Sequence, residues 1–249
     1  MSEVTTTLPP HPEFPAYYGK SPGKSAYLKK IFDETADDYD RVEGILALGS
    51  GRWYRRQALM RAGLREGMKM LDVAMGTGLV AREAMRLVGQ TGKVIGVDPS
   101  AGMLKQARAA LNATAVVGVG QSIPFVSGSF DFVSMGYALR HLPDLHTAFG
   151  EFHRVLKPGG RVCILEISRP AGRFSRMMMA VYFRAVLPVL ARVVRTQPAT
   201  RELWVYYWDT IDQCVPPETV VAALKHAGFG TVSRNRQLGI FSEFVAVKD

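Results

Sequence analysis

Cysteine is nearly absent from this chain. Its 249 residues include two, Cys163 and Cys214, far apart and without metal-ligand spacing. That excludes a disulfide framework, gives no support to a metal site and fits a reducing, cytoplasmic compartment. The charged-then-apolar pattern of a secretory signal is missing from the first residues, and no internal repeat is present. Runs of like charge are missing too. The net charge is +9, but the arginines are scattered and no basic stretch is interleaved with aromatics, so nucleic acid is not an expected partner. An anionic membrane surface or an acidic substrate stays compatible with that charge, as does a plainly arginine-rich composition. One apolar run, Phe174 to Val194, is long enough to consider as a membrane span. Arg176, Arg184 and Arg192 interrupt it and Pro188 would kink it, which argues against a span.

What is present is enough apolar material, 47% of residues, for one sizeable core. The chain is organised around the stretch from Met68 to Leu79. Met68 to Met75 reads as a buried strand with Asp72 near its carboxyl end, Gly76 and Gly78 form a tight turn, and Leu79 to Val88 reads as a helix. Strand, glycine turn and helix open a nucleotide-binding α/β fold. Glycine lets the backbone turn sharply and approach a ligand that a Cβ would push away. A pyrophosphate on the helix N-terminus would be repelled by Asp72, whereas a ligand with a cationic amino-acid end suits it. Asp72-x-Ala74-x-Gly76-Thr77-Gly78 resembles motif I of the class I S-adenosyl-L-methionine-dependent methyltransferases, which usually has a further glycine at the position of Ala74.

Around this stretch, the first 24 residues hold Pro9, Pro10, Pro12, Pro15 and Pro22 and are expected to be a disordered or loosely docked lead. Residues 25–249 then form one domain. Tyr27, Leu28, Ile31, Phe32 and Ala36 recur at helical spacing, Gly49 to Gly51 breaks the chain, and Trp53 to Ala62 is a second helix. Lys93 to Val97 is a short strand followed by Asp98, an acid about 20 residues past the glycine turn, where its two oxygens suit the hydroxyls of a ribose. Pro99 to Leu111 is a helix whose Met103 packs either on an adenine face or simply in the core. Thr114 to Val119 and Phe130 to Tyr137 are strands, Asp144 to Leu156 a helix, Lys157 to Gly160 a turn and Arg161 to Ile167 a strand. A helix from Pro216 to Ala227 and a hairpin of Phe229 to Asn235 with Gly239 to Val247 close the chain. Alternating strands and helices imply a mainly parallel sheet covered on both faces, with ligands beyond the carboxyl ends of its strands.

Several separated segments together resemble the ubiquinone/menaquinone biosynthesis C-methyltransferase family. They are Phe32-Asp-x-x-Ala-x-x-Tyr39-Asp40, Trp53 with Arg55, the Asp72 to Gly78 motif, Ser100-x-Gly102-Met103-Leu104, Pro124-Phe125 and Leu139-Arg140. Arg154 to Gly160, Leu165-Glu166-x-Ser168-x-Pro170 and Tyr182-Phe183-Arg184-x-Val-Leu-Pro188 complete the set. The resemblance implies a Rossmann-like class I methyltransferase fold with a seven-stranded, mostly parallel sheet whose last strand is antiparallel. It implies S-adenosyl-L-methionine as donor and a prenylated benzoquinol or naphthoquinol as acceptor. The donor set carried over is Asp72, Ala74, Gly76, Thr77, Gly78, Asp98, Pro99, Met103, Val119, Gly120 and Gln121. The family commonly has Asp where this chain has Val119, Asn where it has His141, and a proline-glutamate-serine segment where it has Trp208-Asp209-Thr210.

The catalytic candidates are Arg140, a permanent cation able to stabilise a phenolate or hold a water, and His141, which titrates near neutrality and suits a general base. Tyr182, Phe183, Trp204, Tyr206 and Tyr207 are candidates to line an acceptor pocket and Met177 to Met179 to meet a flexible tail, within a substrate-covering insertion at 174–215. The arginine-spaced helix there either covers a greasy substrate, lies on a bilayer surface as a peripheral contact, or packs on the core; a homodimer is also compatible. Two other activities stay open: a methyltransferase of the same branch with another aromatic or lipid acceptor, and a non-catalytic member of a biosynthetic complex.

Overall fold

The computed structural model describes residues 7–19, 23–46, 50–111, 113–193 and 196–249, with 42, 45 and 46 described by backbone alone. The break expected at Gly49–Gly51 therefore lies partly outside the described residues. The first strand, β1 (Lys69–Val73), carries Met70, Leu71 and Val73, all buried, because it has a parallel neighbour on each side and helices over both faces. β2 (Lys93–Asp98) and β3 (Thr114–Val117) extend the sheet one way, β4 (Phe130–Gly136) and β5 (Leu156–Ile167) the other. The hairpin of β6 (Phe229–Gln237) and β7 (Phe241–Lys248) completes seven strands in the order β3-β2-β1-β4-β5-β7-β6. β7 runs antiparallel to both its neighbours. The expected sheet is present, with the last strand of the chain slotted inside it and β6 at the edge.

The helices among the described residues are α1 (Pro15–Tyr18), α2 (Lys24–Leu46), α3 (Gly51–Arg61), α4 (Leu79–Val88), α5 (Ala101–Leu111), α6 (Leu145–Val155), α7 (Arg173–Val181), α8 (Leu187–Val193), α9 (Pro198–Asp212) and α10 (Pro217–His226). Val80, Ala81, Ala84 and Val88 put one face of α4 into the core, and Arg82 and Arg86 stay on the other. Asp144 caps α6 by accepting from the Thr147 amide at 2.9 Å.

Three stretches take a form that the sequence left open or placed differently. The described part of the Pro-rich lead is docked: the Leu8 amide donates to Asp144 at 2.6 Å, Val215 donates to the Pro10 carbonyl, and His11 and Tyr18 are buried. Prolines forbid a long helix there, but they leave carbonyls free to bond other segments. The turn at Lys157–Gly160 does not precede β5 but bulges within it. Pairing with β4 starts at Phe130 opposite Leu156 and resumes at Phe132 opposite Arg161, and Gly159 supplies a φ of +74°. The helix expected to kink at Pro188 is not one regular α-helix. A π-helical turn at Tyr182–Val186 joins α7 to α8, and the wider turn makes room for the ring that would otherwise strike the carbonyl four residues back.

Candidate active site

One cavity lies beyond the carboxyl ends of β1, β2 and β4. Val73, Ala74, Gly76, Asp98, Pro99, Ser100, Met103, Val119, Gly120 and Gln121 line one end of it. Met135, Tyr137, Ala138, His141, Leu142 and Tyr207 line the other, and α2 roofs it with Leu28, Phe32 and Tyr39. Of the eleven donor residues expected from sequence, Asp72, Thr77 and Gly78 stand behind this lining. Asp72 is buried under the glycine turn, where Oδ1 accepts from the Ser134 hydroxyl at 2.5 Å and Oδ2 has no partner. Thr77 donates to Asp40 of α2.

The turn is built by left-handed backbone. Gly76 and Gly78 have φ of +57° and +88°, a region that L side chains enter only under strain. Ala74 is there too, at +55°, which explains why a glycine is usual at this position. Asp98 accepts from the Gly76 amide through Oδ2 and from the Ser100 amide through Oδ1, both at 2.8 Å. Each oxygen keeps a lone pair for a ligand hydroxyl. Burial pushes Asp72 up to about 7 and Asp98 up to about 6, because the interior disfavours their ionised forms. Val119 stands in the lining without an acceptor to offer an adenine amino group, beside Gly120 and Gln121.

At the other end, His141 is half-buried in the cavity wall. Burial, with Arg140, Lys24 and His11 nearby, lowers it well below the ordinary histidine range, so it is a neutral ring. Its Nε2 has no partner, and Nδ1 lies 3.5 Å from the Tyr206 hydroxyl. Arg140 does not reach the cavity, contrary to its expected contact with a phenolate. It is 1% exposed, turned away to bond Glu166 at 2.5 Å and the Tyr137 carbonyl at 3.0 Å, with its guanidinium under the ring of Tyr207. A permanent cation in the interior needs a carboxylate, and Glu166 on the adjacent strand end provides it.

Among the aromatics expected to line an acceptor pocket, Tyr207 does so. Tyr206 sits one ring behind. Tyr182, Phe183 and Trp204 instead pack where α7, α8 and α9 meet, and Met177 and Met178 face outward. Periodicity marks a helix's apolar side without saying which neighbour it meets. The roof was missed because it acts through distance in sequence. Asp33 of α2 accepts from the Ser100 hydroxyl and the Gly102 amide, Asp37 from Gln106, and Asp40 from Thr77, which staples α2 over α5 and the glycine turn. The available signal was the seven-residue spacing of Asp33 with Asp40 beside that of Phe32 with Tyr39, which puts an acidic stripe next to an aromatic one.

The sequence model of the ubiE/COQ5 methyltransferase family matches residues 20–248. The chain belongs to that family. It is 33% identical over 230 residues to the demethylmenaquinone methyltransferase of Symbiobacterium thermophilum, covering 86% of this chain and 90% of that one. It is 32% identical over 212 residues to the ubiquinone/menaquinone biosynthesis C-methyltransferase UbiE of Hahella chejuensis, covering 82% and 84%. A solved S-adenosylmethionine-dependent methyltransferase of Thermotoga maritima shares the fold at a TM-score of 0.63 and 20% identity, over 89% of this chain and all of the other. The ubiE/COQ5 chain is thus an S-adenosylmethionine-dependent methyltransferase. The residues present fit that donor: an orphaned carboxylate oxygen on Asp72, free lone pairs on Asp98, and a backbone turn open at Gly76. When bound, the donor supplies an electrophilic methyl group on a sulfonium.

Among the described residues, no group of histidines, cysteines and acids could hold a metal ion. A second cavity, of about 320 Å³, lies on the far side of Glu166 between Ser168, Arg173 and Cys214, and holds none of the donor residues.

Proposed function

We propose that this methyltransferase C-methylates a prenylated benzoquinol or naphthoquinol. The observation that carries the reading is the continuity of the cavity: the donor residues around Asp98 share one space with Phe32, Tyr39, His141 and Tyr207. Aromatic faces suit a flat ring, and apolar Leu28, Leu142 and Pro143 suit the start of a prenyl tail. A ring carbon is a weak nucleophile until a neighbouring hydroxyl gives up its proton, and an enclosed site then favours transfer to the carbon held in line with the methyl. The names of the relatives, demethylmenaquinone methyltransferase and ubiquinone/menaquinone C-methyltransferase, support the acceptor class.

The test is the lipid-quinone mass profile of the source organism with and without this gene. A quinone precursor lacking one methyl group, present only without the gene, is the expected result; an unchanged profile with no second enzyme of the same activity would count against it. A second reading, another aromatic or lipid acceptor in the same branch, is favoured by His141 and Val119 standing where the family has Asn and Asp.

Such a greasy acceptor resides in membrane, and the outer side of α7 and α8 supports an enzyme working at a bilayer surface. The stretch Arg173–Val193 is long and apolar enough to cross a membrane by length and composition. One side is already sealed on α9 by Phe183, Leu187 and Ala191, and Arg176 and Arg184 are tied to Asp212 and Asp209. The other side exposes Phe174, Met177, Met178, Val181, Val189 and Val193, with Arg173 and Arg192 at the ends. That is an interfacial pattern, apolar side chains between terminal cations.

A further inference from the structure

We propose that His141, Tyr206 and Tyr18 form a proton relay. It carries the acceptor's hydroxyl proton out of the cavity to the Pro-rich lead, so that His141 acts as a base by exchanging tautomers instead of becoming a cation. The relay serves an acceptor with an ionisable ring hydroxyl, and so rests on the quinol reading above.

The geometry is a chain of three rings. His141 sits in the cavity wall, and its Nε2 is buried without a hydrogen-bond partner. Its other nitrogen, Nδ1, lies 3.5 Å from the Tyr206 hydroxyl, the two rings being inclined by only 17°. The Tyr206 hydroxyl lies 3.1 Å from that of Tyr18 on α1. Tyr206 is completely buried, and Tyr18 keeps 7% of its surface exposed. The exposed Glu13 is close enough for its charge to act on Tyr18. The neighbouring tyrosines are committed elsewhere: Tyr17 donates to Asp209 at 2.6 Å and Tyr27 to Glu202 at 3.1 Å. Among the described residues, Tyr18 alone continues the path from Tyr206.

The surroundings show why a relay is needed. Arg140 holds a permanent charge beside His141. Lys24 donates to the carbonyls of Arg140 and Leu142 and to His11 Nε2. A further cation on His141 would be opposed by Arg140, by Lys24 and by burial. A neutral imidazole with its proton on Nδ1 avoids that cost, because it receives one proton at Nε2 while losing another at Nδ1.

The step balances. The hydroxyl proton of the acceptor moves to Nε2, the Nδ1 proton to the Tyr206 oxygen, the Tyr206 proton to the Tyr18 oxygen, and the Tyr18 proton to water beside Glu13. The electron pair left on the acceptor oxygen is released into the ring, and the activated ring carbon takes the methyl group. When that carbon loses its hydrogen to water, the acceptor oxygen takes a proton back from Nε2. The chain then runs inward and restores the starting tautomer. One proton is released overall, the one that left the ring carbon.

The test is nitrogen NMR on the full-length protein labelled with ¹⁵N at its five histidines, His141 being assigned by loss of its signals in His141→Gln. The expected signature is a neutral ring protonated at Nδ1 through the neutral pH range, with the Nδ1 resonance shifted in Tyr206→Phe. In single-turnover methyl transfer, Tyr206→Phe and Tyr18→Phe should each slow the reaction about tenfold or more. Donor affinity by calorimetry should stay within about twofold, since neither residue lines the donor end. A ring protonated at Nε2, an imidazolium at neutral pH, or full rates in both tyrosine variants would overturn the relay. If the wild type methylates no quinol at all, the proposed acceptor fails, while the tautomer and its response to Tyr206→Phe still decide the relay.

Discussion

Arg140 lies beneath Tyr207, with its guanidinium carbon 4.7 Å from the ring centre, and so is separated from the cavity by the very side chain that lines it. The loop after β4 thus delivers adjacent residues to opposite jobs. Arg140 turns inward to fix the wall, and His141 turns to the cavity.

That arrangement makes Glu166 a structural partner of the wall. Both members of the pair are almost wholly buried, and the contact is 2.5 Å. Glu166→Leu strands a buried cation and is expected to lower unfolding free energy by about 3–5 kcal/mol in urea titration. Adding Arg140→Met should recover much of the loss, because two apolar residues restore neutrality. A Glu166→Leu loss below about 1 kcal/mol would mean that the ion pair does not hold the loop.

Donor binding should depend on pH in a fixed direction. Burial raises Asp72 to about 7 and Asp98 to about 6 from a normal 3.8. Their folded values are raised, so the stability they contribute is fully present below the normal value and is lost as pH rises through about 6 to 7 in the ligand-free protein. A cationic donor favours the ionised carboxylates. Its affinity should therefore rise between about pH 5.5 and 7.5 and its binding should release protons, seen as a buffer-dependent heat in calorimetry. Asp98→Ala should abolish the heat, and a pH-independent affinity in the wild type would refute the linkage.

Ala74 offers a local test of the glycine turn. At φ +55° it is held in left-handed backbone, at about 1–2 kcal/mol for an L residue. Part of that is regained by glycine, which also loses more freedom on folding. Ala74→Gly should raise unfolding free energy by about 0.5–1 kcal/mol and leave donor affinity within about twofold. A destabilised variant would show that the Ala74 methyl packs in a way that outweighs its backbone strain.

What could be read in the sequence was what is local. The strand ending near Asp72, the glycine turn and the acid at the end of β2 follow from a dozen neighbouring residues each, and the sheet follows from their alternation. What could not be read depends on partners far along the chain. Leu8 meets Asp144 at a separation of 136 residues and Ser100 meets Asp33 at 67. A proline-rich lead therefore read as disordered or only loosely docked, although the relay and the cavity wall both lean on it. Arg140 was read as a cavity residue because its charge suits the chemistry. Its direction is set by Glu166, 26 residues on.

The outer side of α7 and α8 gives a prediction that separates membrane contact from folding. Met178 is 52% exposed and Val189 57%, so Met178→Glu with Val189→Glu removes no core contact and should leave the melting temperature and donor binding unchanged. On anionic vesicles the two acids replace apolar area with charge that the headgroups repel. Flotation should then recover at least about tenfold less of the variant than of the wild type. Loss of vesicle binding in high salt for both proteins would assign the attraction to the arginines, including Arg173 and Arg192, and the difference between the proteins at low salt to the apolar side chains. Equal flotation of the two proteins at low salt would remove α7 and α8 as the contact, because no other change distinguishes them.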